Sequence, residues 1–363
     1  MTRIGWRLTL EPEGTLLGWS LIRLDDDHPS GQVWSGLHED LGSIRDAVRA
    51  LHATHDPWLG SLTDPIAEAA LARDLGLSLL PAPLRGALTT PDGAHHTVTI
   101  AARGWPSRMP WDALAVDWSG TRLVERAQVL AGMSPGLVAA LPRRTSSDEQ
   151  GCLWVVDPGP ARGEFAPLFP AGTPRVITDA LQPQDQLVPG NNPLTPDGLG
   201  VALRKHAWKS LVYLGHIRQA PQDSPAAAAL VLGNGSDPDL LTAHHWLAEP
   251  SRWPAPPHTA LIGCAGDDAG SLEQSGLVVA ALAAGATVVT TTRWPLPNDD
   301  ATTRLAAAVA LASSSTEPAT IMRRWQLLHL GRWRTSGERR HSPLLWASLA
   351  VYDLRRLQDG DHP

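Results

Sequence analysis

The sequence predicts an α/β protein built on a mostly parallel sheet with helices on its faces. Three observations carry this. Four short, continuous apolar runs, CLWVVDP (152–158), SLVYLGH (210–216), TALIGC (259–264) and ATVVTTTRW (286–294), have the length and composition of strands buried on both faces. Between the last two lies SLEQSGLVVAALAAG (271–285), an apolar helix with a Ser271 cap and a Gly285 stop. Strands that alternate with helices require crossover connections, and crossovers make sheets parallel.

Taken in order, GWRLTLEPEGTLLGWSLIRL (5–24) alternates apolar and polar residues about Glu11-Pro12-Glu13-Gly14, the pattern of a hairpin. Leu41, Ile44, Val48 and Leu51 recur at helical spacing and predict a helix over 41–54. Asp64-Pro65 starts and Pro81 stops a second helix over 64–80. HTVTIAA (96–102) reads as a strand, and 123–131 as a further strand. Residues 159–199, rich in Pro, Gly, Gln and Asn, read as loop, with a short helix near 197–206. Helices are expected over 299–313 and 318–330. The division expected is a hairpin-and-helix extension (1–60), a first half (61–150) and a second half (151–355).

Composition narrows the function. The chain has 363 residues, 43% of them hydrophobic and 18% charged, enough for a substantial core. A net charge of −7 without a basic cluster argues against a nucleic-acid partner. Only two of the 30 basic residues are lysine, and with 32 Pro and 32 Gly this reads as the codon bias of a high-GC bacterial genome. The first residues lack a secretory signal, and the longest apolar stretch, GLVVAALAAGATVV, is broken by glycines and shorter than the roughly 20 residues of a membrane helix. The expectation is a cytoplasmic protein with no membrane contact. GxxxxGK[ST] and the dinucleotide glycine fingerprint are both missing, so nucleotide chemistry has no motif behind it.

Two strands end in residues able to perform acyl chemistry, SLVYLG in His216 and TALIG in Cys264. In an open parallel sheet, ligands bind at the carboxyl ends of the strands. An imidazole beside a thiol takes its proton, leaves a thiolate to attack a carbonyl, and then protonates the leaving amine. Main-chain N–H groups in the loop Ala265–Gly270 would meet the oxyanion. Spacing alone also admits Cys264 as core filler. A zinc site from Cys264 with His258, or with His244 and His245, lacks a tetrahedral set at usual spacing. GMSPG (132–136) matches GxSxG, but Pro135 after Ser134 has no N–H to give an oxyanion hole, which disfavours a serine hydrolase.

The order of motifs resembles the CHAT domain, a caspase-like module of the caspase and separase clan. PWDAL (110–114), GTRLVERAQVLAGMSP (120–135), CLWVVDP, KSLVYLGH (209–216), the block from Thr259 to Thr302 and SPLLWASLAVYD (342–353) each resemble a segment of that family, together covering about residues 62–353. The resemblance implies a caspase-like (caspase-hemoglobinase) fold in which 61–150 is an N-terminal pseudo-caspase half and 151–355 the catalytic half. It implies a cysteine endopeptidase with His216 as general base, Cys264 as nucleophile, and the backbone N–H groups of Ile217 and Cys264 as oxyanion candidates. Asp267, Asp268 and Trp294 are candidates for the substrate pocket, and Glu273 and Arg293, on the same edge, for a substrate contact or a surface pair. No metal or cofactor is implied. The resemblance also implies a protein substrate in a bacterial conflict or regulated-proteolysis system, with a separate regulatory partner because no tetratricopeptide repeat precedes the domain. Two departures stand out: Ile217 follows His216 where the family usually has glycine, and Ala265-Gly266-Asp267 replaces Glu-Thr-Gly. They keep open an alternative, a catalytically weak or inactive scaffold that binds a partner.

Overall fold

The computed structural model describes residues 3–25, 31–38, 42, 44, 60–90, 94–142, 149–158, 168–169, 172–188, 194–218, 224–233, 239–263, 276–294, 296 and 300–359. The helix expected over 41–54 falls almost wholly outside the described residues. The chain divides into two compact units, one comprising Met1–Val138, Arg323–Ser348 and Arg356–Pro363, the other Ala139–Met322 and Leu349–Arg355.

The first unit is built on a five-stranded sheet. Strands β1 (Arg3–Glu13) and β2 (Leu16–Asp25) form the expected hairpin, with Glu13 opposite Leu16 and Gly14 at φ 61° in the two-residue turn. Beside them lie β3 (Val33–His38), β4 (His95–Ala102) and β5 (Ala127–Ala131), in the order β3-β2-β1-β4-β5. Because β1 pairs in parallel with β4, the hairpin is an integral part of this sheet, and the boundary expected at residue 60 does not separate an extension from the rest. Likewise 323–348 clusters with the first unit, not with the 151–355 half. Ile4, Trp6, Leu8 and Leu10 alternate onto one face of β1 and join Val98, Ile100, Leu75 and Leu79 in the core.

The helix Pro65–Leu79 starts where Asp64 accepts hydrogen bonds from the Ile66 and Ala67 N–H groups, at 2.9 and 2.8 Å. Gly76 lets it lie directly on backbone, since a Cβ there would stand 2.1 Å from the Ala115 carbonyl oxygen. The span 123–131, expected as one strand, is a helical turn, Leu123–Arg126, before β5. The Arg122 N–H donates to Glu125 Oε2 at 2.6 Å, and this local bond holds the turn against strand formation.

The second unit contains the parallel sheet. Its strands β6 (Cys152–Val156), β7 (Gln186–Val188), β8 (Ser210–Leu214), β12 (His258–Ile262), β13 (Val288–Thr292) and β14 (Leu349–Asp353) run in the order β14-β13-β12-β8-β6-β7. All neighbours are parallel except β14, which is antiparallel to β13. Every residue of β6, β8, β12, β13 and β14 is buried, which accounts for their largely apolar and β-branched composition. The helix Asp300–Ser314 packs on β8 and β12, and Gly276–Ala283 on β13. A separate antiparallel sheet follows β8: β9 (Ile217–Arg218), β10 (Ala229–Val231) and β11 (Leu240–Thr242), in the order β11-β10-β9.

Candidate functional site

The candidate site is built where β6, β8 and β12 end side by side. The ladder pairs Val156 with Leu214 and Leu214 with Ile262, and the Gly215 N–H extends it to the Ile262 carbonyl at 3.0 Å. His216 lies two residues beyond Leu214, and Cys264 two residues beyond Ile262 in sequence. Cys264 itself lies outside the described residues, as do Asp267, Asp268 and Glu273. The last described residue before it, Gly263, is fixed from the β13 side. Its N–H donates to Thr292 Oγ1 at 3.3 Å and its carbonyl accepts the Thr292 hydroxyl proton at 2.7 Å. The two strand ends approach so closely that a Cβ on Gly263 would meet the Gly215 oxygen at 2.2 Å and Ile217 Cγ1 at 3.1 Å. Gly263 is therefore required by the close pairing of the two backbones, whereas a Cβ on Gly215 would meet the Tyr213 ring, with its hydroxyl oxygen at 2.5 Å.

His216 is 6% exposed, and its carbonyl accepts from the Val231 N–H at 3.0 Å and lies 2.5 Å from the Tyr213 hydroxyl. The bond to Val231 sets the phase of the small sheet. Ile217 opposes Leu230 as a non-hydrogen-bonded pair, so its N–H is turned away from β10, toward the outer edge of β9. Its side chain is buried against Gly263.

Asp157, the residue that closes β6, belongs to the same edge. It has φ 46°, an uncommon conformation outside glycine. Its N–H donates to the Leu214 carbonyl at 2.6 Å, two residues before His216. The carboxylate is buried, and Oδ2 accepts from the Phe169 N–H at 3.3 Å. Burial pushes the Asp157 carboxyl above its ordinary value, while the Phe169 and Leu168 N–H groups and the nearby charge of His216 pull the other way. In the sequence Asp157-Pro158 reads only as the close of the apolar run that begins at Cys152. The signal that could have found it is a carboxylate directly after an apolar run whose last residue, Val156, pairs with Leu214.

The other cysteine is excluded by its place. Cys152 opens β6 opposite Ser210, at the other end of the strand from Asp157. Burial and the neighbouring Asp185 carboxylate push its thiol well above the usual range, the condition of an inert cysteine. His258 opens β12, a full strand before Cys264 in sequence, and burial lowers its pKa to about 4. Among the described residues no three His, Cys, Asp or Glu side chains gather as metal ligands, and His258, His244 and His245 form no such set. Trp294 follows β13 and is 3% exposed. Arg293 is buried and donates to the Leu349 carbonyl. Among the described residues no helix is long and apolar enough to cross a membrane.

Comparison with known proteins gives a family match. The model of the CHAT domain matches residues 69–353. Two solved structures of the Saccharomyces cerevisiae separase-securin complex are similar at 13% identity and a TM-score of 0.41. The similarity covers 71% of this chain but only 16% and 15% of those chains, so this chain spans far less than two thirds of their length. No curated protein matches the sequence.

Proposed function

Because the chain belongs to the CHAT domain family, with its caspase-like α/β fold, we propose that it is a cysteine endopeptidase in which Cys264 attacks the substrate and His216 acts as general base. The observation that supports this reading is the pairing of Leu214 with Ile262, because in sequence His216 and Cys264 each come two residues after these paired ends of neighbouring parallel strands. His216 takes the Sγ proton of Cys264, and the thiolate adds to the scissile carbonyl carbon. The oxyanion is met by the Cys264 N–H and by the Ile217 N–H, which is turned away from β10. The tetrahedral adduct collapses as the His216 imidazolium gives its proton to the leaving amine, leaving a thioester. Water, deprotonated by His216, then hydrolyses the thioester and restores the thiol.

Asp157 acts as a positioning residue in this scheme, its carboxylate stabilising the imidazolium that forms in each half-reaction. Asp267 and Asp268 would select a basic side chain on the substrate, with Trp294 packed behind the same edge. The substrate is a protein, in a bacterial conflict or regulated-proteolysis system, and a separate protein partner controls access.

One observation favours a second reading, a partner-binding scaffold without turnover: the bulk of Ile217 fills the space against Gly263 where the family usually has glycine. Alkylation of the purified protein by iodoacetamide, with each thiol followed by mass mapping across pH, separates the two. A peptidase gives a Cys264 thiolate that forms well below the ordinary thiol pKa of about 8.5, and His216→Ala returns it to that value. A Cys264 that titrates as an ordinary thiol in both proteins would favour the scaffold. Labelling by a thiol-directed peptidyl probe, abolished by Cys264→Ala, then tests attack on a carbonyl.

A further inference from the structure

The two N–H groups assigned to the oxyanion, those of Ile217 and Cys264, each share an amide with a carbonyl, that of His216 and that of Gly263 respectively. Both carbonyls receive a buried side-chain hydroxyl.

Tyr213, 1% exposed within β8, lays its ring against Gly215. Its hydroxyl stands 2.5 Å from the His216 carbonyl oxygen and 2.8 Å from that of Val231, and its one proton is shared between them. The His216 carbonyl also accepts the Val231 N–H at 3.0 Å, so donors from two strands converge on it. Among the described residues no peptide bond is cis, and the Ile217 N–H therefore points away from that carbonyl. Thr292, the fully buried last residue of β13, serves the other amide. Its hydroxyl donates to the Gly263 carbonyl at 2.7 Å, and its oxygen accepts the Gly263 N–H at 3.3 Å. The β12–β13 register ends with Leu261 opposite Thr291, so the Thr292 side chain holds Gly263 where the ladder no longer does.

We propose that Tyr213 and Thr292 are positioning residues of the oxyanion site, each holding and polarising the peptide unit whose N–H receives the developing negative charge. The proposal rests on the peptidase reading, which assigns those two N–H groups. An amide is one resonance unit, and a hydrogen bond accepted at its oxygen strengthens its N–H as a donor, by roughly 10–30% per bond. When the Cys264 thiolate adds to a carbonyl, the Sγ–C bond forms and the C=O π pair moves onto oxygen, where both strengthened donors meet it. Neither hydroxyl touches substrate or moves a proton. Alkylation by iodoacetamide displaces iodide from a saturated carbon, makes no oxyanion, and so gains nothing from either residue.

The test compares these two reactions at Cys264 in the full chain. Alkylation is followed across pH by mass mapping. Addition to a carbonyl is read as the protection against alkylation that tripeptide aldehydes ending in arginine, leucine or aspartate give Cys264. Tyr213→Phe and Thr292→Val remove the hydroxyls with little change of shape. Each should weaken the best aldehyde about tenfold, near the worth of one hydrogen bond, while the alkylation rate stays within about twofold and its pH midpoint does not move. Thr292→Ser keeps a hydroxyl and should retain the parent's aldehyde affinity. The hydroxyls stand on different strands, so should one variant fail to fold, the other carries the test. Equal losses in both reactions mark a merely structural role and overturn the proposal, as does unchanged aldehyde affinity in a folded variant. Either result leaves the peptidase reading standing, because the parent still forms the adduct. A parent Cys264 that no aldehyde protects overturns the peptidase reading and this assignment together.

Discussion

Gly263→Ala tests whether the close approach of two strand ends is what aligns the proposed dyad. Gly263 has no positive φ, so the constraint is space and not backbone conformation. The added Cβ would lie 2.2 Å from the Gly215 oxygen, where ordinary contact begins at 3.4 Å. The strand ends must therefore part by about 1 Å, the difference between those two distances. The neighbour is backbone, held by the Gly215 N–H on the Ile262 carbonyl at 3.0 Å, and it gives way only with the ladder. A shift of about 1 Å between reacting groups costs roughly 10²-fold in rate, and overpacking costs about 1–3 kcal/mol in stability. The assay is the second-order rate of Cys264 modification by a peptidyl thiol probe, with a urea midpoint measured beside it. Gly331→Ala, in the helix Pro318–Ser336 with nothing within 4 Å of the new Cβ, is the control and should leave the rate unchanged. A folded Gly263→Ala protein modified within threefold of the parent rate would refute the reasoning.

Asp157→Asn keeps the shape of the side chain and removes its charge; the maximal modification rate should fall by roughly 10²-fold with little change in probe affinity, whereas a purely structural role would lower the unfolding midpoint instead. His258 is neutral in the folded protein down to about pH 4, and protonates near 6.5 when unfolded. Its contribution to stability is therefore complete above pH 6.5 and is lost as pH falls from 6.5 to 4, by about 3 kcal/mol at 1.36 kcal/mol per pH unit. Urea titrations of the parent and His258→Gln across that window should show their stability difference change by this amount, and parallel pH curves would contradict it. Gly76→Ala should destabilise the protein by about 1–3 kcal/mol despite alanine's better helix propensity, because its Cβ meets the Ala115 carbonyl oxygen at 2.1 Å. A raised urea midpoint would overturn that account.

The parallel sheet was legible because β6, β8, β12 and β13 are buried on both faces, and such strands write themselves as continuous apolar runs. Only part of the remainder had a local signature. The hairpin about Gly14 is readable, but its parallel partnership with β4 is a pairing across the long stretch between them, and alternation within β1 does not reveal it. The short strands β9, β10 and β11 have two or three residues each, too few for a period to appear. The edge carrying His216 followed from its place after an apolar run, whereas Asp157 looked like turn punctuation because Asp-Pro is common in turns. Its relation to His216 depends on β6 lying next to β8, which is a fact of strand order.

Ile217 shows how a departure from a family pattern should be weighed. A glycine after the histidine gives backbone room to reach an oxyanion, and a bulky residue there would argue against turnover if its side chain occupied the same space. The side chain instead packs against Gly263, whose missing Cβ makes the room for it. The oxyanion chemistry asks only for an N–H. That N–H is directed by the phase of the β9–β10 ladder, which the Val231 to His216 bond fixes independently of the side chain. Bulk and donor point in different directions, so exchanging glycine for isoleucine alters packing between the strand ends without consuming the N–H that the proposed reaction uses. The scaffold reading therefore requires more than Ile217 itself: it requires that Cys264 and His216 fail to meet, and the alkylation profile of Cys264 measures that directly.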